Sequence, residues 1–204
     1  LLAASTETVG AALHRPAWWL LRIGMFSGMR LNEICSLERR DIRQEDDVWF
    51  FDITAAKTEA GVRCVPIHST LLELGLLQDL PESGPIFPEL KPEGPDGKRS
   101  WYFSKRFGEL RDRVGAVHIS PKTGRNRLSF HSLRTNVGTL LERARVTANS
   151  TEQLLGHKKK SFSFARYSGG LGLAELRDDL EKVHYDGLDL EALRRSYKAP
   201  AEAA

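Results

Sequence analysis

Four separate stretches of the chain hold cationic or phenolic side chains of the kinds that react with a phosphate ester. They contain an arginine near a glutamate, a lysine in a turn, a histidine just before an arginine, and a histidine before a tyrosine: Arg30 and Glu33, Lys57, His131 and Arg134, and His157 and Tyr167. A guanidinium binds phosphate oxygens through parallel N–H donors, and lysine or histidine can transfer a proton. A tyrosine attacks only where a base or a positive pocket favours its phenolate, because its ordinary pKa is about 10.

Each stretch also has an ordinary structural explanation. Arg30 and Glu33 have the i, i+3 spacing of a surface ion pair, which is worth roughly a few tenths of a kcal/mol. Lys57, near the tip of a predicted hairpin, could serve solubility alone. His131 and Arg134 are harder to dismiss, since they project together near a helix N-terminus and an anion between them would relieve their repulsion.

The elements that must position these residues are mostly helices. The pattern predicts strands over 48–53 and 61–68, joined by a hairpin connection that holds Lys57. Apolar residues at helical spacing predict helices over 16–26, 29–37, 71–77, 101–117, 130–146, 150–157, 173–182 and 189–197. The expected fold class is therefore mostly α with a small antiparallel β-sheet (α+β).

Several local features sharpen this prediction. Pro16 is expected in the first turn of the first helix, which Gly28 should interrupt after Ser27. Residues 41–47 are expected to form an acidic turn, and residues 81–100 form a loop because they are rich in proline and glycine. Ser150 is expected to cap the helix that leads to His157.

The composition is that of an ordinary globular domain. Hydrophobic residues make up 41% of the 204 residues and charged residues 28%, so one sizeable domain is expected. Cys35 and Cys64 lack the spacing of metal ligands and are expected to be reduced core thiols. No apolar run is long enough to span a membrane, and no signal peptide is recognisable. Because the chain begins with Leu-Leu and not with Met, a preceding N-terminal domain is expected.

The charge is unevenly distributed along the chain. The net charge is only +3, but residues 98–127 hold nine lysines and arginines against two acidic residues. From residue 171 to the end there are five basic and eight acidic residues. A basic middle beside an acidic end suits a surface that binds a polyanion, although a merely solvated basic surface explains the charge equally well.

Taken together, the four stretches resemble the tyrosine recombinase (phage integrase) family. The matching text is SGMRLNEICSLERRDI, KTEAGVRCVPIH, FHSLRTN and LLGHKKKSFSFARY, which spans about residues 16–170. The resemblance implies an integrase-like catalytic domain of the DNA breaking-rejoining type over residues 1–170. It also implies an N-terminal core-binding domain that is absent from this sequence. Residues 171–204 would be a helical tail that docks on its own chain or on a neighbouring protomer.

The resemblance also implies a role for each residue. Tyr167 would attack a DNA phosphodiester and form a 3′-phosphotyrosyl intermediate, while Tyr102, Tyr185 and Tyr197 lack its histidine and basic context. The other implied roles cover transition-state binding, proton transfer and support: Arg30 and Arg134 would clamp the non-bridging oxygens, His157 would donate a hydrogen bond, Lys57 would be the general acid, His131 would assist proton transfer, and Glu33 would orient Arg30. No metal ion, ATP or other cofactor is expected.

The implied partner is double-stranded DNA, bound by a homotetramer in the bacterial or phage-infected cytoplasm at the nucleoid, with no membrane association. The basic residues expected to contact its phosphates lie in two groups: Lys98, Arg99, Lys105, Arg106, Lys122, Arg125 and Arg127, and then Lys158, Lys159 and Lys160. Two alternatives stay open: a DNA-relaxing enzyme with type IB topoisomerase chemistry, and a catalytically silent DNA-binding module.

Overall fold

The computed structural model describes residues 11–54, 61–157 and 170–195, and the side chains of 11–14 and 195 are outside the description. The α-helices of these ranges are α1 (Ala11–Ser27), α2 (Leu31–Cys35), α3 (Ser69–Glu73), α4 (Trp101–Arg113), α5 (His131–Arg143), α6 (Ala148–Leu155), α7 (Leu173–Leu180) and α8 (Leu190–Arg195). The strands are β1 (Ile42–Glu45), β2 (Val48–Ile53) and β3 (Arg63–Pro66). Short 3₁₀-helices cover Arg39–Asp41 and Leu77–Asp79.

The predicted fold class is confirmed, because the described residues combine eight α-helices with one antiparallel sheet of order β1-β2-β3. The sheet pairs Ile42 with Phe51 and Phe51 with Val65. The strand over 48–53 is confirmed with the predicted bounds, but the acidic turn over 41–47 is wrong in part. Residues 42–45 form β1, which only one buried side chain anchors, and the turn shrinks to Asp46 and Asp47 with φ of 44° and 62°. Such left-handed pairs match the twist of a hairpin.

Helix α1 forms the centre of the core. Its residues 17–26 are all buried, and both tryptophans, Trp18 and Trp19, are at most 1% exposed. The helix begins at Ala11, so Pro16 lies inside it and not in its first turn, contrary to expectation. Proline removes one helical hydrogen bond, and the burial of the following residues outweighs this loss.

Gly28 ends α1 as expected. Its φ of 64° is left-handed, a conformation in which glycine has no steric penalty. A Cβ atom at Gly28 would lie 2.6 Å from Leu155 Cδ2 and 3.2 Å from Val137, so α1 ends in close contact with α5 and α6. This close approach positions the backbone just before Arg30 against the end of α6.

The described part of the C-terminal tail packs on its own chain. Leu176, Leu180 and Val183 are at most 2% exposed and belong to the hydrophobic core. Glu181 accepts hydrogen bonds from the backbone N–H and the hydroxyl of Ser69 at 2.7 and 2.6 Å. No helix in the described part of the chain is long and apolar enough to cross a membrane.

Candidate functional site

The C-terminal end of α6 gathers three arginines from three distant parts of the chain. The consecutive carbonyls of Leu154, Leu155 and Gly156 accept hydrogen bonds from Arg63, Arg134 and Arg30 respectively. The last carbonyls of a helix lack partners within the helix and carry partial negative charge, which favours cations there. The end of α6 therefore holds three arginine side chains close together.

Helix α6 begins and ends sharply at this place. Its N-cap is Thr147, whose hydroxyl accepts from the backbone N–H of Ser150, so the predicted cap at Ser150 is wrong and Ser150 is buried inside the helix. At the other end Gly156 adopts φ 62° and ψ 50°, and His157 N–H donates to the Glu152 carbonyl at 2.9 Å. This left-handed cap turns the chain so that His157 emerges beside the arginines.

Arg30 and Glu33 form the ion pair that the sequence predicts, at the start of α2. Arg30 Nη1 donates to Glu33 Oε1 at 2.6 Å, and the Arg30 backbone N–H donates to Glu33 Oε2 at 2.8 Å. Arg30 Nη2 reaches the Gly156 carbonyl at 3.2 Å. The Arg30 side chain is 42% exposed, so its guanidinium is fixed on one side and open to solvent on the other.

Arg134 lies deeper, on the buried face of α5. It is 3% exposed, and it donates to the carbonyls of Gly28, at 2.8 Å, and Leu155. Arginine has more N–H donors than these two carbonyls use. Arg134 therefore joins the ends of α1 and α6 and keeps donors for an anion.

Arg63, the first residue of β3, is a member of this cluster that the sequence analysis missed. Its side chain is only 4% exposed, and it donates to both oxygens of Glu33 at 3.2 and 3.0 Å. A signal was present in the strand pattern, because Arg63 shares the inward phase of Val65 and Ile67. A charge on the buried face of a strand needs a partner, and Glu33 is that partner.

The electrostatics of the cluster follow from burial and from this pairing. Burial alone would raise the pKa of Glu33, but the hydrogen bonds and charges of Arg63 and Arg30 outweigh it and hold the pKa below its ordinary value. Burial, together with the nearby charges of Arg30 and Arg63, lowers the pKa of Arg134 to about 10. Three arginines against one carboxylate leave an excess of positive charge, which suits an anionic ligand.

The two predicted histidines differ in their surroundings. Partial burial, followed by the charges of Arg134 and Arg30, lowers the pKa of His157, so its imidazole belongs to the same electrostatic environment. His131 is the first residue of α5, one turn before Arg134, and its side chain is exposed. The structure thus brings Arg30, Glu33, Arg134 and His157 together. It leaves His131 at the edge, where no side-chain hydrogen bond among the described residues joins it to the cluster.

Lys57 and Tyr167 lie outside the described residues, and only the residues that flank their segments can be placed. Residues 55–60 connect β2 to β3, whose paired ends are Ile53 and Arg63. Residues 158–169 follow His157, and Leu171 just beyond them exchanges two hydrogen bonds with the side chain of Gln153 on α6, at 3.0 and 2.9 Å.

Four of the basic residues predicted to bind DNA have local partners. Lys98 pairs with Asp96, Arg99 donates to the Leu90 carbonyl, Lys105 lies 3.8 Å from the centre of the Trp101 ring, and Arg106 bonds Tyr102 and Glu109. These contacts hold the side chains at or near α4 without removing their charge.

The other three described basic residues lie on a protruding loop. Residues 118–127 form a ribbon, here called the basic ribbon, closed by bonds from Arg127 N–H to the His118 carbonyl at 2.8 Å and from Ser120 N–H to the Arg125 carbonyl at 2.9 Å. Lys122, Arg125 and Arg127 are all exposed. Lys158, Lys159 and Lys160 lie outside the described residues. Within the part of the chain that is described, no three His, Cys, Asp or Glu side chains are grouped so that they could hold a metal ion.

Comparisons with known proteins find similar sequences and similar folds. The chain is 28% identical to the prophage integrase IntF of Escherichia coli strain K12 over 156 residues, which cover 72% of this chain and 29% of that protein. Its fold is similar to the integrase from mycobacterium phage Brujita, with a TM-score of 0.58 and 16% identity over 96% of this chain and 60% of the other. It is also similar to the XerH site-specific recombinase, with a TM-score of 0.54 and 21% identity over 91% of this chain and 48% of the other.

The chain thus spans less than two thirds of the length of each of these relatives. A sequence profile of the phage integrase family matches residues 2–169, which include the four stretches that carry the sequence resemblance and all three arginines of the cluster. The chain therefore belongs to the phage integrase family.

Proposed function

We propose that this chain is the catalytic part of a site-specific DNA recombinase that cuts and rejoins DNA through a 3′-phosphotyrosyl intermediate at Tyr167. The observation that carries the proposal is the arginine cluster at the end of α6, where Arg30, Arg63 and Arg134 meet beside His157. A phosphodiester carries one negative charge and gains more on its non-bridging oxygens during in-line attack. Fixed cations stabilise that added charge more in the transition state than before it.

Each member of the site has a distinct part in this proposal. Arg30, half open to solvent and held by Glu33, binds one non-bridging oxygen from the exposed side. Arg134, held by the Gly28 and Leu155 carbonyls, binds from the floor of the site. His157, whose lowered pKa keeps it neutral near pH 7, donates a ring N–H to the same phosphate.

The proposed reaction is a transesterification, in which one phosphoester bond replaces another. The Tyr167 oxygen forms a bond to phosphorus, the bond to the 5′-oxygen breaks, and the phenolic proton passes to His131 or to water. Lys57 donates a proton to the departing 5′-oxygen. A 5′-hydroxyl of a second strand then attacks the phosphotyrosyl bond and releases Tyr167, which completes strand exchange within a homotetramer on DNA.

Chain geometry permits both outlying residues to reach the phosphate. Tyr167 precedes Leu171 by four residues, so their Cα atoms are at most about 14 Å apart in any conformation. Leu171 is itself bonded to α6 through Gln153. Lys57 follows Ile53 by four residues, and Ile53 pairs with Arg63 of the cluster.

The proposed chemistry uses neither a metal ion nor ATP. The arginines supply the positive charge that divalent cations supply in many other phosphoryl-transfer sites. The phosphotyrosyl bond conserves the energy of the broken linkage, so rejoining needs no other source. The similar XerH site-specific recombinase has been solved bound to difH substrate in a pre-cleavage complex and to palindromic difH substrate in a post-cleavage complex, which supports a DNA substrate for this chain as well.

The test uses a pool of nicked duplexes with a randomised central segment, because the target sequence is unknown. The protein is incubated with the pool, and covalent complexes are separated on a denaturing gel and sequenced. We expect a covalent adduct on an enriched sequence with the wild-type chain and none with Tyr167→Phe. Tyr102→Phe is the matched control and should form adducts at the wild-type rate. An adduct that survives Tyr167→Phe, or binding without any wild-type adduct, would show that the assignment is wrong.

A second readout separates recombination from plain relaxation. Two duplexes that carry the enriched sequence should exchange strands and give products of recombinant length. Relaxation of a supercoiled plasmid without such products would favour the topoisomerase-like alternative.

A further inference from the structure

Arg63 donates four hydrogen bonds to neighbouring groups of the site. Its Nη1 and Nη2 atoms donate to Oε1 and Oε2 of Glu33 at 3.2 and 3.0 Å, in a two-pronged arrangement. Its Nε atom donates to the Leu154 carbonyl at 2.9 Å, and Nη1 also reaches the Gly61 carbonyl at 2.9 Å. One guanidinium thus joins α2, the end of α6 and the segment before β3.

Each carboxylate oxygen of Glu33 therefore accepts two hydrogen bonds. Oε1 accepts from Arg30 Nη1 and from Arg63, while Oε2 accepts from the Arg30 backbone N–H and from Arg63. The carboxylate cannot rotate without breaking several charge-assisted hydrogen bonds at once. Without Arg63, rotation of Glu33 would be opposed by Arg30 alone.

The hydrogen bonds of Arg63 distinguish it from the two arginines assigned to the phosphate. Arg63 donates four hydrogen bonds within the chain and Arg134 donates two, so Arg63 acts on a bound phosphate mainly through its neighbours. It also pairs with Ile53 at the base of the connection that holds Lys57. A single buried residue is therefore attached to the partner of Arg30 and to the root of the Lys57 segment.

We propose that Arg63 is a positioning residue for strand cleavage. Arg63 donates hydrogen bonds to both oxygens of Glu33 and to the Leu154 carbonyl, and it thereby holds the Arg30 guanidinium where the scissile phosphate binds. This inference rests on the function proposed above. The role depends on the planar fork of arginine, since the ammonium of lysine is a point charge that cannot serve both carboxylate oxygens and a carbonyl together. A purely structural role would affect folding without acting through Glu33.

A double-mutant cycle distinguishes these roles. The rate of covalent adduct formation is measured in a single turnover, at saturating concentrations of the enriched duplex, for the wild type, Arg63→Lys, Glu33→Gln and the double variant. We expect each single variant to be slower by roughly 10- to 100-fold, with unchanged DNA affinity, because small displacements of a catalytic group have effects of this size. The double variant should be at most about threefold slower than the slower single variant. Arg43→Lys, an exposed arginine of β1 that pairs with Asp52, is the matched control and should keep the wild-type rate.

If the rate losses of the two single variants multiply in the double variant, the positioning role is wrong. A wild-type rate for Arg63→Lys would also overturn it. A crystal structure of Arg63→Lys gives a readout that does not depend on activity. We expect the bond between Arg30 Nη1 and Glu33 Oε1 to be lost or lengthened while the fold is retained, and an unchanged bond would contradict the proposal. If the wild-type chain forms no adduct on any duplex, the proposed function fails, and the crystal structure alone decides whether Arg63 positions Arg30.

Discussion

At the scale of single residues, the two arginines assigned to the phosphate have different structural duties. Arg134 is buried and bridges the carbonyls of Gly28 and Leu155, whereas Arg30 is half exposed and pairs with a glutamate that Arg63 also holds. Loss of a buried donor leaves its acceptors without partners, which is far more costly than loss of an exposed ion pair. Arg134 should therefore serve both stability and chemistry, and Arg30 mainly chemistry.

This difference gives a prediction about stability. Arg134→Ala should lower the free energy of unfolding by about 2–4 kcal/mol, because two buried carbonyls lose a charged donor. Arg30→Ala should lower it by about 1 kcal/mol or less, since Glu33 keeps Arg63. Urea titrations monitored by tryptophan fluorescence measure both values, and equal losses for the two variants would contradict this account. Both variants should fail to form the DNA adduct.

The sequence predicts most members of the site but not the reason that they hold together. Arg30, Arg134 and His157 could be found because a resemblance to a known family linked stretches that are individually unremarkable. Arg63 was missed because it lies in GVRCVPIH, which reads simply as a strand. The contacts that assemble the cluster are made with main-chain carbonyls of α6, and no side-chain pattern encodes these acceptors.

At the scale of elements, the site depends on how closely α1, α5 and α6 approach one another. Gly28 is a point of close approach, with a left-handed φ and no room for a Cβ atom beside Leu155. Gly84 provides a comparison, because its φ of 75° is also left-handed but nothing lies within 4 Å of the position of its Cβ. Alanine substitution at the two glycines therefore distinguishes the cost of a left-handed backbone from the cost of crowding against Leu155.

Gly28→Ala should therefore lower the free energy of unfolding by about 2–4 kcal/mol, and Gly84→Ala by about 1 kcal/mol. The first value includes left-handed strain and overpacking against Leu155, whereas the second contains strain alone. Thermal or urea unfolding of the two variants measures the difference. Equal effects would mean that α6 moves away from α1 at no cost, which would contradict the close packing described here.

The docking of the tail on α3 depends on a buried histidine. His68 Nδ1 accepts from the Thr70 N–H, and Nε2 donates to the Val183 carbonyl, which requires the neutral ring. Burial lowers the pKa of His68 below 6.5, although the negative charges of Glu181 and Glu73 oppose this shift. As the pH falls through 6.5, the unfolded chain binds a proton at this position before the folded chain does, so stability present above 6.5 is lost.

His68→Gln should remove this part of the pH dependence. Between pH 7.5 and 5.5 the wild type should lose more unfolding free energy than the variant, by at most about 1.4 kcal/mol, because this range extends one pH unit below the ordinary histidine pKa of 6.5. The variant keeps the titration of His157 and all carboxylates, so the difference between the two proteins isolates His68. Parallel curves for the two proteins would show that His68 is not the group responsible.

At the scale of the whole molecule, the described chain carries exposed positive charge on the basic ribbon and negative charge on the tail. The basic ribbon holds exposed Lys122, Arg125 and Arg127, whereas the tail is acidic. Phosphate contacts release counterions, so DNA affinity should fall steeply with salt. The ribbon could be anticipated from the charge of residues 98–127, but its hairpin-like closure by main-chain bonds could not.

Replacement of Lys122, Arg125 and Arg127 by glutamine should weaken duplex binding and reduce the slope of log affinity against log salt by about 2–3. The matched control replaces three basic residues of the tail, Arg177, Lys182 and Arg194, and should leave the slope unchanged. Fluorescence anisotropy with a labelled duplex at several salt concentrations gives both values. Equal slopes for the ribbon variant and the wild type would exclude the ribbon from the DNA interface.

The central claim is that one phenol oxygen, positioned beside three gathered arginines, forms a covalent bond to DNA. The most direct measurement is mass spectrometry of the trapped protein–DNA complex after digestion with nuclease and trypsin. We predict that the residual nucleotide is attached to the peptide that runs from Tyr167 to Arg177. Attachment to a peptide that contains Tyr102, Tyr185 or Tyr197, or an unmodified Tyr167 peptide in the complex, would contradict the account.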